Sequence, residues 1–390
     1  MRLTRPAHLL VQCRDRPEFS LDSLLRGGAG LVERSEWLAL APHLDAPVPL
    51  CLDALAVLDA VPPEGIEAER LRQLADPAQV DRLVEVGLLL ADDDRHAALR
   101  ERESRWRGTP WWTPAAVAQA FGRWQGVDVA ADEARQGKRS LAQLIGQHGP
   151  PPAETTARSG ADTWTCLPAP DSTALDELLA ARNTCRNFDL GAELPLAQLS
   201  RVLWLAFGAQ ARQSLAPDAA VLKKHSPSGG GLHPIEAYVL VQRVAGLAPG
   251  AYHYQCLAHA LEPVCGPGGS LTDVQAAAHE LVAGQRWFAE SPVLVLMAAR
   301  FGRSFWKYRN HAKAWRVLQL DAGHLSQTLA LAATEQGLGA FITAAINDEA
   351  AERLFGLDGA LEGPVAVCGF GPRSPERRDN ELDPLGKTLR

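Results

Sequence analysis

Three separated stretches of the sequence hold residue types that bind anions and flat rings. The first is Arg182-Asn183-Thr184-Cys185-Arg186, in which two arginines flank a hydroxyl group within five residues. A guanidinium group can donate to two phosphate oxygens at once, so this pattern suits a phosphate. Arginines at the end of a helix also favour its dipole without binding any ligand. This stretch alone is therefore a weak indication of a site.

The second stretch is rich in glycine and lies directly before a predicted strand. It reads KHSPSGGGLHP from Lys224 to Pro234, and we name its residues 226–232 the glycine loop. Consecutive glycines allow the backbone to approach a flat ligand closely. The stretch lacks the GK[ST] ending of a P-loop and the GxGxxG spacing of dinucleotide-binding folds. By itself, such a loop is more often a linker than a binding site.

The third stretch, GLGAFITAAIND over residues 337–348, ends a predicted strand with small residues. Small side chains leave backbone amides accessible to a ring.

A fourth feature is the pair Lys307-Tyr308. Lysine is rare in this chain, with only six among the 39 basic residues, so Lys307 is a candidate for a specific role. A lysine whose pKa is lowered by burial, or a tyrosine beside it, can accept a proton near neutral pH. Phe305 and Trp306 precede the pair, so we expect partial desolvation. The residues alone favour an ordinary surface lysine.

The elements that must position these stretches follow from the periodicity of apolar residues. Helices are predicted from Thr173, from Pro195 to Gly208, over Arg316–Gln336 and over Glu349–Phe355; strands are predicted over Ile235–Val241, Val293–Ala299, Ala340–Ile346 and Pro364–Gly371, with a hairpin over Ala251–Val264. The helix from Arg316 is apolar almost all round, which predicts burial on every side and a hydrogen-bonded core position for His324. This pattern indicates an α+β layer fold.

The sequence pattern of residues 1–94 predicts a separate, winged-helix-like module. Three helices are expected at residues 52–61, 66–74 and 77–86, followed by a strand at 88–91 and an acidic turn at 92–94. A DNA-binding module would carry a basic third helix, but this helix contains Asp81 and Glu85, which argues against DNA. Docking of a peptide or protein, or a purely structural role, stays open.

An aromatic segment and a linker, residues 95–172, connect this module to residues 173–390. The segment carries Trp106, Trp111, Trp112, Phe121 and Trp124. We favour a helix that packs onto residues 173–390 over a ligand-binding stripe of indoles. Residues 147–172 are rich in Pro, Gly, Ser and Thr without apolar periodicity, which predicts a linker.

Composition excludes several classes of protein. A chain of 390 residues is long enough for two domains. The net charge of -7 argues against a protein that coats nucleic acid. Seven scattered cysteines without zinc spacing predict free thiols in a reducing cytoplasm and no metal. We find no signal peptide and no apolar run long enough to span a membrane, so we expect a cytoplasmic protein.

Taken in order, these stretches resemble the nitroreductase family, most closely its SagB-type branch of dehydrogenases that mature thiazole- and oxazole-containing peptides. The motifs that carry the resemblance are PSGGGLHPIEAYVLV, GAYHY, SPVLVL, KY, DAGHLSQTLALAATEQGLGAF and LFGLDG, which span most of residues 173–371. Within the branch, the chain is similar to peptide maturation dehydrogenases. The resemblance implies a nitroreductase-like, FMN-binding α+β fold.

The resemblance also implies which residues bind FMN. The phosphate and ribityl chain are assigned to Arg182, Thr184 and Arg186, with Asn183 near the flavin and Lys224 in place of a common arginine. The isoalloxazine is assigned to Ser228, Gly229, Gly231 and Leu232, and the region near its N5 to the backbone of Ala344 and Ala345. The chain departs from many relatives at Thr184, at the two alanines and at His233, where relatives often have serine, two glycines and tyrosine. The last two departures leave the substrate open.

The implied reaction is the oxidation of an azoline ring in a precursor peptide. One C–H leaves as hydride to the flavin, and Lys307 or Tyr308 takes a second hydrogen as a proton. The implied partners are the precursor peptide, which the N-terminal module delivers, a cyclodehydratase and a second copy of the chain in a homodimer. Two alternatives stay open: an NAD(P)H-dependent FMN reductase of nitro, quinone or dehydroamino-acid substrates, and a non-enzymatic docking protein with a degenerate flavin fold.

Overall fold

A computed structural model of the protein describes residues 1–137, 140–264 and 273–388. The N-terminal part contains two small antiparallel sheets. Its elements are β1 (Arg2–Thr4), β2 (Leu10–Phe19), α1 (Leu21–Leu25), β3 (Leu31–Leu40), β4 (Val48–Leu50), α2 (Leu52–Asp59), β5 (Ile66–Glu67), α3 (Ala68–Leu74), α4 (Pro77–Glu85) and β6 (Leu90–Ala91). One sheet has the strand order β5-β1-β6 and the other the order β2-β3-β4.

The sequence patterns located the three helices α2, α3 and α4 but missed the long hairpin before them. Helix α3 begins at Ala68 rather than at Ile66, because Ile66 and Glu67 pair with Leu3 and Arg2 in the first sheet. Strands β2 and β3 pair along their whole length, from Leu10 opposite Leu40 to Phe19 opposite Leu31. Most of their side chains are exposed. A strand exposed on both faces has no apolar alternation, so its sequence carries no strand signal.

The aromatic segment packs into the core of the C-terminal part. It contains α5 (Ala97–Arg107), α6 (Thr113–Phe121), α7 (Val129–Gln136) and α8 (Leu141–His148). Trp111 is only 1% exposed. Its ring lies 4.6 Å from that of Phe301 and 4.5 Å from that of Phe305, and its Nε1 donates to the carbonyl oxygen of Ala360 over 3.2 Å. The packing interpretation is therefore confirmed for Trp111.

Residues 149–173 are exposed and irregular apart from a 3-10 turn, Ala161–Thr163.

The C-terminal part is a six-stranded antiparallel sheet with helices on both faces, which confirms the predicted α+β class. Its elements are α9 (Ala174–Ala181), β7 (Leu194–Pro195), α10 (Leu196–Phe207), β8 (Ala211–Ala216), β9 (Ala219–Lys223), β10 (Ile235–Val241), β11 (Val244–Ala245), β12 (Gly250–Gln255), β13 (Ala260–Pro263), α11 (Val274–Leu281), α12 (Arg286–Ala289), β14 (Val293–Arg300), α13 (Phe301–Tyr308), α14 (Ala312–Glu335), β15 (Gly339–Thr343), α15 (Asp348–Phe355) and β16 (Glu362–Gly371). The strand order is β13-β12-β10-β14-β16-β15.

Strand β14 lies inside this sheet and is buried on both faces. Val293, Val295 and Met297 face the core that α10 and α14 cover, while Leu294 and Leu296 face the core on the other side. Successive side chains of a strand point to opposite faces, so a strand covered on both faces must be apolar throughout. Each fully buried side chain of this size contributes roughly 1.5–3 kcal/mol to stability.

None of the helices in the described part of the chain is both long and apolar enough to span a membrane.

Helix α14 differs from the prediction in its start and on one face. It begins at Ala312, where the ring of His311 accepts a hydrogen bond from the N–H of Lys313 over 3.0 Å. The predicted burial on every side is wrong, and so is the core position of His324. A stripe of side chains is exposed in the single chain: Arg316, Leu320, Gly323, His324 and Gln327. The core is filled by a different face, which includes Leu318 and Leu329.

Candidate active site

A buried carboxylate on α14 holds the start of the glycine loop. The hydroxyl of Ser228 donates to Asp321 Oδ2 over 2.5 Å, and the N–H of Gly229 donates to Asp321 Oδ1 over 3.0 Å. Ser228 Oγ in turn accepts from the N–H of His233 over 2.8 Å. Asp321 is only 3% exposed, and a buried carboxylate is stable only when donors of this kind satisfy its oxygens. Asp321 was not predicted as a site residue, although it is an acidic residue in the middle of an apolar helix whose other acidic residue, Glu335, lies at its end.

Further contacts hold both ends of the loop. The hydroxyl groups of Ser226 and Thr328 lie 2.7 Å apart. The Arg303 guanidinium donates to the carbonyl oxygen of Leu232. The loop is therefore held between α14 and α13, which fixes its backbone before any ligand binds.

Lys307 and Tyr308 contact the glycine loop directly. Lys307 Nζ donates to the carbonyl oxygen of Gly230 over 3.2 Å. Gly230 has a φ of +67°, and a Cβ at this position would lie 2.7 Å from the Tyr308 hydroxyl and 2.9 Å from Lys307 Nζ. Glycine is therefore required here both for its backbone conformation and for the close approach of the two side chains. The structure thus brings the candidate catalytic pair and the candidate flavin loop together.

The expected desolvation of Lys307 by its aromatic neighbours is absent in the single chain. Phe305 points into the core, whereas Trp306 and Lys307 are both exposed. This correction follows from helical geometry, because consecutive residues of α13 are about 100° apart around its axis. A buried residue therefore does not bury its neighbours in the sequence.

Lys224 and His233 lie on the side of the loop that faces α14. Lys224 is buried, and with His233 and Asp321 it lines a cavity of about 10 Å³. Burial lowers the pKa of His233, and the positive charge of Lys224 lowers it further. Both effects favour the neutral form of the imidazole. The backbone of His233 has a left-handed φ of +46°.

Arg182, Thr184 and Arg186 follow α9 in an extended segment beside β15. Thr184 forms a parallel bridge with Ala340, and the N–H of Cys185 donates to the carbonyl oxygen of Ala340 over 2.9 Å. In extended backbone, alternate side chains share a side. Cys185 is buried, while the two arginines and the threonine are half-buried on the other side. Burial raises the pKa of the Cys185 thiol to about 12, so this thiol is not a nucleophile.

The C-terminal tail closes over this segment, which the sequence analysis did not predict. The Glu381 carboxylate accepts from the N–H groups of Arg186 and Asn187 and from Arg373 Nη1, the last over 3.0 Å. Burial acts to raise the pKa of Glu381, but these backbone donors and the Arg373 charge together hold it below its usual value. Asn183, a candidate flavin neighbour, instead donates to Thr388 Oγ1 over 3.0 Å.

Ala344 and Ala345 lie just past the end of β15, which stops at Thr343 rather than at Ile346. The N–H of Ala345 donates to Thr343 Oγ1 over 3.2 Å, so a flavin would have to replace that acceptor to receive this bond. Ala344 is exposed and lines a cavity of about 200 Å³ together with Trp315 and Gln319 of α14.

Two groups of predicted site residues lie on opposite faces of α14. Val317 and Asp321 contact the glycine loop, whereas Trp315 and Gln319 line the cavity beside Ala344. Two residues along a helix correspond to a rotation of about 200°, and an α-helix with its side chains is about 10 Å thick. Within one chain, the helix therefore separates the glycine loop, here the loop group, from Ala344 and Ala345, which follow β15 and are here the β15 group.

Comparison with known proteins agrees with this architecture. Residues 179–372 match the model of the Nitroreductase family. The trifolitoxin-processing protein TfxB of Rhizobium leguminosarum bv. trifolii is 33% identical over 147 residues, which are 37% of this chain and 39% of that protein. The microcin B17-processing protein McbC of Escherichia coli is 28% identical over 161 residues, 40% of this chain and 57% of that protein.

Among solved structures, the chain is similar to one in the E. coli microcin synthetase McbBCD complex with truncated pro-MccB17 bound. The TM-score is 0.45 at 21% identity, over 65% of this chain and 90% of that chain. The matched region covers only about two fifths of the trifolitoxin-processing protein and somewhat more than half of the microcin B17-processing protein.

Proposed function

The chain belongs to the nitroreductase family through residues 179–372, and on this premise we propose that it is an FMN-dependent dehydrogenase that oxidises azolines to azoles in a ribosomally synthesised peptide. One observation carries the proposal: the Lys307–Tyr308 pair contacts Gly230 of the glycine loop. The similarity to two proteins named for the processing of trifolitoxin and microcin B17 supports the choice of a peptide substrate.

The donor set of the chain fits FMN. Arg182, Thr184 and Arg186 supply two guanidinium groups and a hydroxyl on one side of an extended segment, as a phosphate requires. Around Gly231 no atom other than those of its neighbours in the chain lies within 4 Å of the position a Cβ would take, which leaves room for a flat ring against the backbone. When bound, FMN supplies the acceptor for a hydride. Asn183, Lys224, Ser228, Gly229, Leu232, Ala344 and Ala345 complete the proposed set of flavin residues.

Lys307 or Tyr308 takes the proton that leaves the azoline together with the hydride. An amine accepts a proton only in its neutral form, and burial favours that form. Lys307 is exposed in the single chain, so the bound peptide and a second subunit must provide the covering. Tyr308 lies against Gly230 beside Lys307 and either orients the amine or acts as the base itself.

The active unit is a homodimer. A single chain holds the loop group and the β15 group on opposite faces of α14, so each group needs a partner from another chain to enclose a flavin. The exposed stripe of α14, from Arg316 to Gln327, provides a face on which a second copy can pack. The β15 group of one protomer and the glycine loop of the other would then together hold each flavin.

Residues 1–94 dock the precursor peptide, and a cyclodehydratase partner supplies the azoline. Azolines form when a cysteine, serine or threonine side chain cyclises onto the preceding amide with loss of water, so such an enzyme must act first. The acidic character of this module, with Asp92, Asp93 and Asp94 together, is consistent with a peptide rather than a nucleic acid as its ligand.

The absorption spectrum of the purified protein and mass spectrometry of a co-expressed precursor peptide test this function. We expect a flavin spectrum and the loss of two hydrogen atoms for each azoline oxidised. Flavin that is bleached by NAD(P)H but not by an azoline peptide would instead identify a reductase. A colourless protein that does not take up FMN would identify a docking protein.

A further inference from the structure

The hairpin formed by β8 and β9 projects from the body of the C-terminal part. All six residues of β8 are exposed, and among the described residues each strand of the hairpin pairs only with the other. Each strand therefore has an edge without a strand partner. Unpaired edges of this kind are common sites for the addition of an extended peptide, because the main chain of the peptide completes the hydrogen bonds.

A cleft of about 950 Å³ separates this hairpin from the glycine loop and α13. Leu215 and Val221 line it on the hairpin side, Gly230 on the loop side, and Trp306 and Lys307 on the helix side. A volume in this range accommodates a ligand larger than a single ring. The proposed base is thus part of the wall of a large open cleft.

Large apolar side chains are exposed to water around this cleft. Leu215 is 64% exposed and Trp306 is 63% exposed, and Leu361 at one end is exposed as well. A soluble protein rarely gathers large apolar side chains around one concave surface unless a ligand covers them. Tryptophan, the residue type at position 306, is also among the types most enriched at the energetically important contacts of interfaces.

The cleft carries charges of both signs, and each of its three cations, Arg300, Arg303 and Lys307, already has a partner within the chain. Arg300 lies 3.1 Å from the carboxylate of Glu236, and Arg303 donates to the carbonyl oxygen of Leu232. Asp218 and Glu362 add two carboxyl groups to the lining. Three cations with partners and two carboxyl groups leave the charge of the lining nearly balanced, which suits an uncharged ligand better than the phosphate end of FMN.

We propose that this cleft binds an extended, uncharged segment of the substrate peptide, with the azoline ring beside Lys307. Aliphatic or aromatic side chains of the segment pack on Trp306 and Leu215, and the unpaired edge of the hairpin is available to the peptide backbone. This inference rests on the proposed function, for which it identifies the binding site of the reacting segment. It is distinct from docking on residues 1–94, because it recognises the segment that is oxidised.

The test measures the binding of a synthetic peptide to the full-length, FMN-loaded protein. The probe is a fluorescein-labelled heptapeptide with a central thiazole between alanine and valine residues, followed by fluorescence anisotropy. Trp306→Ala and Leu215→Ser should each raise its Kd roughly tenfold or more, because each removes an apolar contact in the centre of the site. The matched controls are Trp164→Ala and Leu257→Ser, whose side chains are both 58% exposed but lie outside the cleft. The controls should leave Kd unchanged.

The outcomes separate this inference from the proposed function. Equal Kd values for the cleft variants and their controls overturn the cleft assignment, as does a parent protein that fails to bind the peptide at concentrations on the order of 1 mM. If the cleft variants bind weakly but the parent does not oxidise the matching thiazoline peptide, the cleft stands and the proposed reaction fails. A higher KM for the thiazoline peptide in Trp306→Ala, with FMN occupancy unchanged, supports both.

Discussion

Lys307 Nζ donates a hydrogen bond to the carbonyl oxygen of Gly230 over 3.2 Å, although 77 positions separate the two residues in the chain. The contact joins the end of α13 to the middle of the glycine loop. A substrate ring that approaches the loop at this point lies within reach of an amine. The contact is the structural basis for giving Lys307 the role of proton acceptor.

Replacement of Lys307 by alanine tests that role. We expect Lys307→Ala to retain FMN at full occupancy and to oxidise an azoline peptide about 10²–10⁴-fold more slowly, the usual contribution of a general base. Lys313→Ala is the control, since Lys313 is another exposed lysine close by on α14. Stopped-flow measurement of flavin bleaching gives the rate. Turnover by Lys307→Ala within about threefold of the parent would mean that the base is elsewhere.

Tyr308→Phe distinguishes the two possible bases. A small loss of rate is expected if Tyr308 only orients Lys307, and a loss equal to that of Lys307→Ala if the tyrosine is the base. The dependence of kcat on pH gives a second criterion. A rising limb that disappears in Lys307→Ala but persists in Tyr308→Phe assigns the titrating base to the lysine.

Asp321→Asn should weaken FMN binding by loosening the glycine loop. The substitution keeps the size of the side chain but replaces one of the two acceptors for Ser228 and Gly229 by an amide N–H₂ group. Loss of a hydrogen bond to a charged group costs about 1.5–3 kcal/mol, which corresponds to a rise in the Kd for FMN of roughly tenfold or more. Quenching of FMN fluorescence on binding measures this Kd. Asp171→Asn, in an exposed irregular segment, is the control, and equal affinities would exclude the positioning role.

The double variant Arg182→Ala/Arg186→Ala should lose FMN during desalting while its fold stays intact. Arg186 lies 5.9 Å from the centre of the Phe288 ring, a cation–π contact that contributes only about 0.5–1 kcal/mol at an exposed site. Stability should therefore change little. Absorbance of the desalted protein measures the retained flavin, and Arg70→Ala/Arg158→Ala serves as the control. A double variant that stays fully yellow would contradict the phosphate assignment.

Trp111→Ala should destabilise the C-terminal part although Trp111 precedes it by more than sixty residues. Removal of a large aromatic side chain from a core costs about 3–5 kcal/mol. Chemical denaturation measures the change in the free energy of unfolding, with the exposed Trp164→Ala as a control that should show none. A loss below about 1 kcal/mol would mean that the aromatic segment is not part of this core. A truncation that removes the N-terminal module should therefore end before Trp111, so that the core of the C-terminal part keeps this side chain.

Glu352 should make the protein less stable as the pH rises. Burial raises the pKa of Glu352 to about 7, and the pairing with Arg123 lowers it without overcoming that effect; Asp348 and Glu349 raise it further. The folded chain then binds this proton more tightly than the unfolded chain, so the free energy of unfolding falls between pH 4.5 and about 7. Glu352→Gln should flatten this fall in denaturation curves recorded across the range. An unchanged pH profile would show that Glu352 has an ordinary pKa.

The elements with a buried face were predictable from the sequence. The apolar run of β14 and the helical repeat of α10 each reflect a fixed geometry that places every residue relative to the core. The hairpins β2-β3 and β8-β9 were missed for the complementary reason. Their side chains are largely exposed, so no apolar pattern marks them. The second of these hairpins lines the cleft beside Lys307, so one of the missed elements forms part of the proposed substrate site.

The sequence by itself determined the α+β class, the candidate groups and the local chemistry of each stretch, because these depend on residue type and on spacing along one element. Only the tertiary structure decided which groups meet. It brought Lys307 to Gly230, placed Asp321 under the loop and Glu381 against Arg186, and left Lys307 and His324 exposed. The physical reason is that such contacts depend on how whole elements pack, which the periodicity of a single element does not specify.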